Sequence, residues 1–129
     1  MFFASTHQGG LWPNTGLSAD DTEHIKNITL SIEASGDAFR EVYHDKIFPV
    51  LAAYQPELII LSAGFDAHRD DPLAGLTLES EGFGWITREI SHIADKYSQG
   101  HVLSILEGGY DIEALRSSVG VHLRELSAC

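Results

Sequence analysis

The stretch from Leu58 to Pro72 constrains the fold more than any other part of the chain. It begins with four consecutive apolar residues and passes through a small Ser-Ala-Gly step into a cluster of Asp, His and Arg side chains. An apolar run of this length, with β-branched residues in it, is typical of a strand buried on both faces. Since ligands collect at the carboxyl ends of parallel strands, the polar cluster predicts a site at the edge of an open α/β sheet.

Hydrophobic spacing predicts strands and helices along most of the chain. The predicted strands are 1–5, 27–32, 57–62 and 102–106, and a helix is predicted over roughly 37–54. Two further helices follow, whose apolar positions run from Phe83 to Tyr97 and from Ile112 to Leu126. Pro49 lies inside the first helix, so we expect a kink or break near Phe48. Thr77 and Ser80 are candidate caps of the second helix, and Gly100 suits the left-handed position after it. The alternation from residue 57 onward predicts a parallel sheet flanked by helices.

Length and composition indicate one folded unit spanning 1–129. Hydrophobic residues make up 43% of the chain, and the net charge is −11. This charge argues against nucleic acid as a direct ligand and would favour a cationic substrate. No run is long enough to span a membrane, and the amino terminus lacks the pattern of a signal peptide, so we expect a cytoplasmic protein without a membrane partner. The single cysteine, Cys129, has no internal disulfide partner.

Two polar clusters follow the strands predicted at 57–62 and 102–106, which should be neighbours in the sheet. Asp66 and His68 are ligand types for Zn²⁺. Tyr110 follows two glycines, which let the backbone approach closely and aim the ring at an oxyanion. Each pattern alone is also typical of an ordinary solvated loop or a tight turn.

Taken together, these motifs resemble the histone deacetylase family, in its class II or bacterial amidohydrolase-like form. The segment Ser62–Leu73 resembles a metal-ligand segment of that family, and Leu106–Tyr110 resembles its catalytic tyrosine turn. Ala4–Gln8 followed by Trp12–Gly16 looks like the upstream strand and loop. The resemblance covers nearly the whole chain and implies an arginase/deacetylase-like three-layer α/β fold.

The resemblance also implies hydrolysis of an N-acetyl amide of lysine or a related amine, with Zn²⁺ as cofactor. Asp66 would be a zinc ligand, and Tyr110 would donate a hydrogen bond to the tetrahedral oxyanion. Ser5 and Thr6 match a segment that binds a structural potassium ion. In the family pattern His68 does not bind the metal, and we expect His68 and Arg69 to be loop residues. The residues that would line the substrate tunnel are Trp12, Leu73, Gly108 and Gly109.

The family's other two zinc ligands and its tandem histidines belong upstream of the matched segments, and neither motif occurs in this sequence. We therefore expect the carboxyl-terminal half of a deacetylase domain. Alone, it should neither bind zinc tightly nor hydrolyse acetyl-lysine, since a catalytic zinc normally has three protein ligands. An open sheet edge would favour association with an amino-terminal half or with a second copy.

Two other interpretations stay open at this point. The second interpretation is a non-catalytic half-domain that folds with a partner or self-associates. A different metal or nucleotide α/β domain is the third interpretation, and it is disfavoured because the sequence has no Gly-x-Gly-x-x-Gly or phosphate-loop motif.

Overall fold

Strands and helices alternate along the chain, and the computed structural model describes residues 1–11 and 14–128. The strands are β1 (Phe3–Gln8), β2 (Ile25–Leu30), β3 (Ile59–Ala63) and β4 (Val102–Leu106). The helices are α1 (Gly36–Val42), α2 (Phe48–Tyr54), α3 (Ser80–Tyr97) and α4 (Ile112–Leu126). A 3₁₀ turn lies at Ser18–Asp20, and a π turn at Tyr43–Ile47 joins α1 to α2.

The four strands form two parallel pairs. β1 pairs with β2, with Phe3 opposite Ile25, and β3 pairs with β4, with Ile59 opposite Val102. In the described residues the two pairs are not hydrogen-bonded to each other as neighbouring strands. The predicted class, parallel strands flanked by helices, is confirmed, and the strands are divided into two sheets.

An apolar core joins the two strand pairs. Leu30 from β2, Phe39 from α1 and Phe83 from α3 are buried in one cluster with Phe65 and Leu78 from the loop between β3 and α3. Burial of each such side chain contributes roughly 1.5–3 kcal/mol to the stability of the fold. The cluster therefore holds the two strand pairs together although they do not share a sheet. Within residues 1–11 and 14–128, no helix is long and apolar enough to cross a bilayer.

The strand limits differ by about two residues from those predicted near the amino terminus. β1 begins at Phe3 and continues to Gln8, and β2 runs from Ile25 to Leu30. Pairing sets these limits, because Phe3 to Gln8 lie opposite Ile25 to Leu30 without interruption. Gly100, predicted to be left-handed, has a φ of 77°.

The predicted break near Phe48 takes the form of a π turn. Pro49 has no N–H, and its ring crowds the carbonyl four residues earlier in a regular α-helix. Just before Pro49 the helical hydrogen-bond pattern changes from four to five residues, and the Phe48 amide donates to the Tyr43 carbonyl. The helix therefore continues past the proline with one wide turn.

Neither predicted cap of α3 acts as one. The residue before the helix is Glu79, which makes no capping bond with its side chain. The Thr77 hydroxyl donates to the Ala34 carbonyl, and the Ser80 hydroxyl is 3.0 Å from the Ser118 hydroxyl of α4. Both hydroxyls, which the local sequence assigns to capping, instead form hydrogen bonds with residues distant in the sequence.

Candidate functional site

The carboxyl ends of β3 and β4 lie side by side, and their loops are hydrogen-bonded to each other. The Glu107 amide donates to the Ala63 carbonyl at 3.1 Å, and the Phe65 amide donates to the Gly108 carbonyl at 2.8 Å. The structure thus brings the Asp66 segment and the Gly-Gly-Tyr turn to one edge, as the sequence predicts.

The Asp66 carboxylate lies in space that glycines leave open. A Cβ at Gly108 would be 2.7 Å from its Oδ2, and a Cβ at Gly64 would be 3.2 Å from its Oδ1. Burial raises the pKa of the Asp66 carboxyl, and the negative charges of Asp71 and Glu107 act in the same direction. Asp66 is therefore a partly buried carboxylate in a confined space, which suits it to bind a cation.

A cavity of about 730 Å³ lies between β1 and β3. Residues 5–8 of β1 and residues 61–67, including Asp66, line it. Of the strand partners that the structure describes, β2 contributes only Asn27 and β4 contributes no residue. The cavity therefore occupies the gap between the two strand pairs, with Asp66 in its wall.

The predicted tunnel residues lie apart from this cavity. Leu73 is 63% exposed, and neither it nor Gly108 and Gly109 belongs to the lining. Trp12 lies outside the described residues. The tunnel assignment stays a prediction.

Tyr110 lies on the β4–α4 loop with a largely exposed side chain. The residue is 58% exposed, and its hydroxyl makes no hydrogen bond with the described residues. Its backbone amide donates to Asp71 Oδ2 at 2.9 Å. Asp111, the next residue, caps α4 by accepting a hydrogen bond from the Ala114 amide. The backbone of Tyr110 is thus fixed on both sides while its hydroxyl is open to a ligand.

The two predicted potassium ligands lie on β1 and line the cavity. The Ser5 hydroxyl is 3.0 Å from His7 Nδ1, and the Thr6 hydroxyl is 3.0 Å from the Tyr43 hydroxyl. Both hydroxyls therefore already have protein partners, and the potassium assignment stays a prediction.

His68 is buried against the core. Its Nδ1 accepts a hydrogen bond from the Asp70 amide at 3.2 Å, and its ring stacks on Phe83 with the centroids 6.5 Å apart. Arg69 forms an exposed ion pair with Glu79 at 2.8 Å. Both residues hold the loop between β3 and α3.

The described residues do not by themselves fit a catalytic zinc. Within 1–11 and 14–128, no group of three His, Cys, Asp or Glu side chains is placed to hold a metal ion. Asp66 is one carboxylate, whereas a catalytic zinc has three protein ligands as a rule. A zinc bound at Asp66 would need ligands from other residues.

Two buried polar residues near this edge have roles that the sequence does not predict. Asp71 belongs to the polar cluster after β3, and its carboxylate accepts hydrogen bonds from two backbone amides. The Asp-Pro step indicates only the local turn. His122 of α4 lies between the hydroxyls of Thr87 at 2.7 Å and Ser104 at 2.8 Å, and burial lowers its pKa. Nothing in the local spacing around His122 indicates these partners.

Comparison with known proteins identifies the same family across most of the chain. The family model described as histone deacetylase domain matches residues 1–126. Type-2 histone deacetylase 2 of Dictyostelium discoideum is 40% identical over 126 residues, which cover 89% of this chain and 7% of that protein. Histone deacetylase 14, chloroplastic, of Arabidopsis thaliana is 37% identical over 131 residues, covering 98% of this chain and 31% of that protein.

A solved structure extends the likeness to the fold. The acetylpolyamine aminohydrolase from Burkholderia pseudomallei aligns with a TM-score of 0.84 and 25% identity, covering 98% of this chain and 38% of that one. The chain thus spans between 7% and 38% of the length of these three proteins. The family predicted from the motifs is confirmed. The chain belongs to the histone deacetylase family.

Proposed function

We propose that this chain forms one wall of the active site of an amidohydrolase that removes acetyl groups from lysine side chains or related amines. The observation that carries the proposal is the hydrogen-bonded contact between the Asp66 and Gly108 loops in a member of this family. It brings a partly buried carboxylate and an exposed tyrosine to the same edge. In the proposed function, residues 1–129 act as one unit, the carboxyl-terminal part of the catalytic domain.

Tyr110 would act on the oxygen of the substrate amide. When water attacks the acetyl carbon, negative charge develops on the former carbonyl oxygen. A phenolic O–H aimed at that oxygen stabilises the charge, and losing one such donor typically costs about 10²–10³ in kcat. The Tyr110 hydroxyl has no hydrogen bond with the described residues, so it is available to donate.

Asp66 would contribute one ligand to a Zn²⁺ ion, with the remaining ligands supplied by residues other than those described. The acetylated nitrogen itself is uncharged, so the net charge of −11 favours substrates that carry other cationic groups, such as a lysine-rich peptide or a polyamine with free amines. One relative is named as an acetylpolyamine aminohydrolase, and that name supports the polyamine alternative.

The second candidate function is a half-domain without catalysis of its own. The lack of any three-residue ligand group in 1–11 and 14–128 favours it. Such a unit would pair with another chain, or with a second copy, before any substrate is processed.

Acetate release and zinc content together test these functions. The 129-residue chain is purified alone and after co-expression with a complementary amino-terminal part of a deacetylase domain. Both preparations are assayed on an acetyl-lysine peptide and on a monoacetylated diamine. We expect no turnover and little zinc from the chain alone, and turnover with about one zinc per complex from the pair.

Variants of the active pair assign the roles. Tyr110→Phe should lower kcat by about 10²–10³ with zinc content unchanged, and Asp66→Asn should lower zinc content. Tyr54→Phe, at a tyrosine 43% exposed on α2, is the matched control and should retain activity. Wild-type turnover by Tyr110→Phe would contradict the enzymatic proposal. A well-formed complex that never turns over would favour the half-domain.

A further inference from the structure

The backbone of Tyr110 is held by a buried carboxylate that the proposed chemistry does not use. Asp71 lies on the β3–α3 loop, residues 64–79, and is only 7% exposed. Its Oδ1 accepts from the Leu73 amide and its Oδ2 accepts from the Tyr110 amide, both at 2.9 Å. Hydrogen bonds to an ionised acceptor are about twice as strong as neutral ones. One carboxylate therefore ties together two loops that are 39 residues apart in sequence.

Asp71 is itself held in a fixed position. Its own amide donates to the His68 carbonyl at 3.0 Å. The bond from the Leu73 amide to Oδ1 closes a local turn across Pro72, as an aspartate before a proline favours. The second oxygen is thus aimed at the Tyr110 amide by backbone that is already ordered.

The Tyr110 side chain has little else to orient it. It is 58% exposed, and its hydroxyl makes no hydrogen bond with the described residues. The preceding residue, Gly109, has a φ of 133°, and a Cβ there would be 2.8 Å from Leu115 Cδ1. This turn conformation is available to glycine and to few other residues. The position of the hydroxyl therefore depends on where the backbone of the turn is held.

We propose that Asp71 is a positioning residue for Tyr110, and that the Asp71–Tyr110 hydrogen bond sets how well the tyrosine hydroxyl meets the substrate oxygen. The inference rests on the proposed function, because it concerns the same donor. Misplacement of a reacting group by about 1 Å can cost about 10²-fold in rate. The bond should therefore affect kcat much more than substrate binding.

Asp71→Asn is the informative variant. An Asn keeps the shape and one acceptor oxygen, which the Leu73 amide would retain, but it turns an NH₂ group toward the Tyr110 amide. Two donors then face each other. Asp70→Asn is the matched control, since that neighbouring side chain is 65% exposed and, among the described residues, forms an ion pair with His68 and no hydrogen bond with the tyrosine turn.

Amide hydrogen exchange tests the bond in the 129-residue chain. We expect the Tyr110 amide to be protected in the wild type and in Asp70→Asn, and to exchange about tenfold faster or more in Asp71→Asn. Asp71→Ser, which can still accept from Leu73 but is too short to reach Tyr110, gives the same comparison if the Asn variant does not fold. Unchanged protection of the Tyr110 amide in a folded variant would overturn the inference.

Kinetics of the active pair test the consequence. We expect Asp71→Asn to lower kcat by about 10–100-fold with KM nearly unchanged. In a Tyr110→Phe background the same substitution should have little further effect on kcat, because the hydroxyl that it positions is gone. If the two effects multiply instead, Asp71 acts through general structure and the inference is wrong.

Failure of this inference is distinguishable from failure of the proposed function. If Tyr110→Phe is as active as the wild type, the proposed function fails. If Tyr110→Phe is slow while Asp71→Asn is as fast as Asp70→Asn, only the role of Asp71 is overturned.

Discussion

The two strand pairs end in different ways. At the carboxyl end of β3–β4, glycines, a buried carboxylate and backbone hydrogen bonds leave little free space around Asp66 and Gly109. At the carboxyl end of β1, a Cβ at Gly10 would meet no atom within 4 Å. Asp66 and Tyr110, the two groups assigned to chemistry, thus lie at the edge where added side-chain atoms would meet close neighbours.

One loop connects the two edges. The β3–α3 loop reaches β4 through Asp71 and also reaches the β1–β2 pair, where the Gly75 amide donates to Gln8 Oε1 at 2.6 Å. The Thr77 amide donates to the Ala34 carbonyl just after β2. This loop therefore forms hydrogen bonds with both sheets, which share no strand among the described residues.

Two glycines with positive φ give the largest expected contrast between the edges. Gly109→Ala places a methyl group 2.8 Å from Leu115 Cδ1 and 3.2 Å from Phe65 Cβ at a φ of 133°. We expect a loss of about 2–4 kcal/mol in the free energy of unfolding, from backbone strain and overpacking together. Gly10→Ala, at a φ of 78° in open space, should lose only about 1 kcal/mol. Urea unfolding of both variants measures the difference, and equal losses would remove the contrast.

Two threonines give a smaller contrast. The Thr87 hydroxyl donates to the Phe83 carbonyl and accepts from His122 Nδ1–H. Thr87→Val should cost about 1–3 kcal/mol, because it leaves the buried imidazole N–H without an acceptor. Thr29→Val, at an exposed position of β2, makes the same chemical change and should be nearly neutral. A neutral Thr87→Val in urea unfolding would show that water or another group satisfies His122.

The smallest expected effect is a pH dependence that comes from His122. Burial lowers its pKa, so below about pH 6.5 the unfolded chain takes up a proton before the folded chain does. The free energy of unfolding should therefore fall as pH drops through this range, and level off once the folded protein is also protonated. Unfolding by urea at pH 7.5 and 5.5 checks this. His122→Gln should show a smaller loss than the exposed control His101→Gln, and equal losses would rule out His122 as the source.

The sequence predicts the crowded edge well, because its signals are local. The apolar run before Asp66, the Gly-Gly-Tyr turn and the 3.6-residue spacing of α3 and α4 each depend on a few consecutive residues. The Asp71–Tyr110 bond could not be predicted, since it joins residues 39 apart and only the folded sheet brings them together. The Ser80 hydroxyl shows the same limit, because a partner on α4 displaced the capping role that its position indicates.

The sheet also shows what local signals omit. Strand alternation predicts the parallel direction, which is confirmed, but it does not predict that the four described strands divide into two separate pairs. The cavity between β1 and β3 is lined in part by Phe39 of α1 and Phe83 of α3, which also belong to the core cluster. Strand limits at β1 and β2 likewise follow the pairing register, which apolar content alone does not define.

The π turn at Tyr43–Ile47 changes which residues lie on the same side of the helical segment that runs from α1 to α2. A regular helix would align Tyr43 with Ile47, whereas the wide turn lets the Tyr43 ring meet Phe48, with centroids 5.6 Å apart. Phe48 in turn packs at 5.8 Å from Trp85 of α3. Each residue of a regular helix adds about 100° of rotation, and the wide turn absorbs one extra residue, so Phe48 stands where the fourth residue after Tyr43 would otherwise be. Straightening the turn into a regular helix without removing a residue would therefore rotate α2 by about 100° relative to α3.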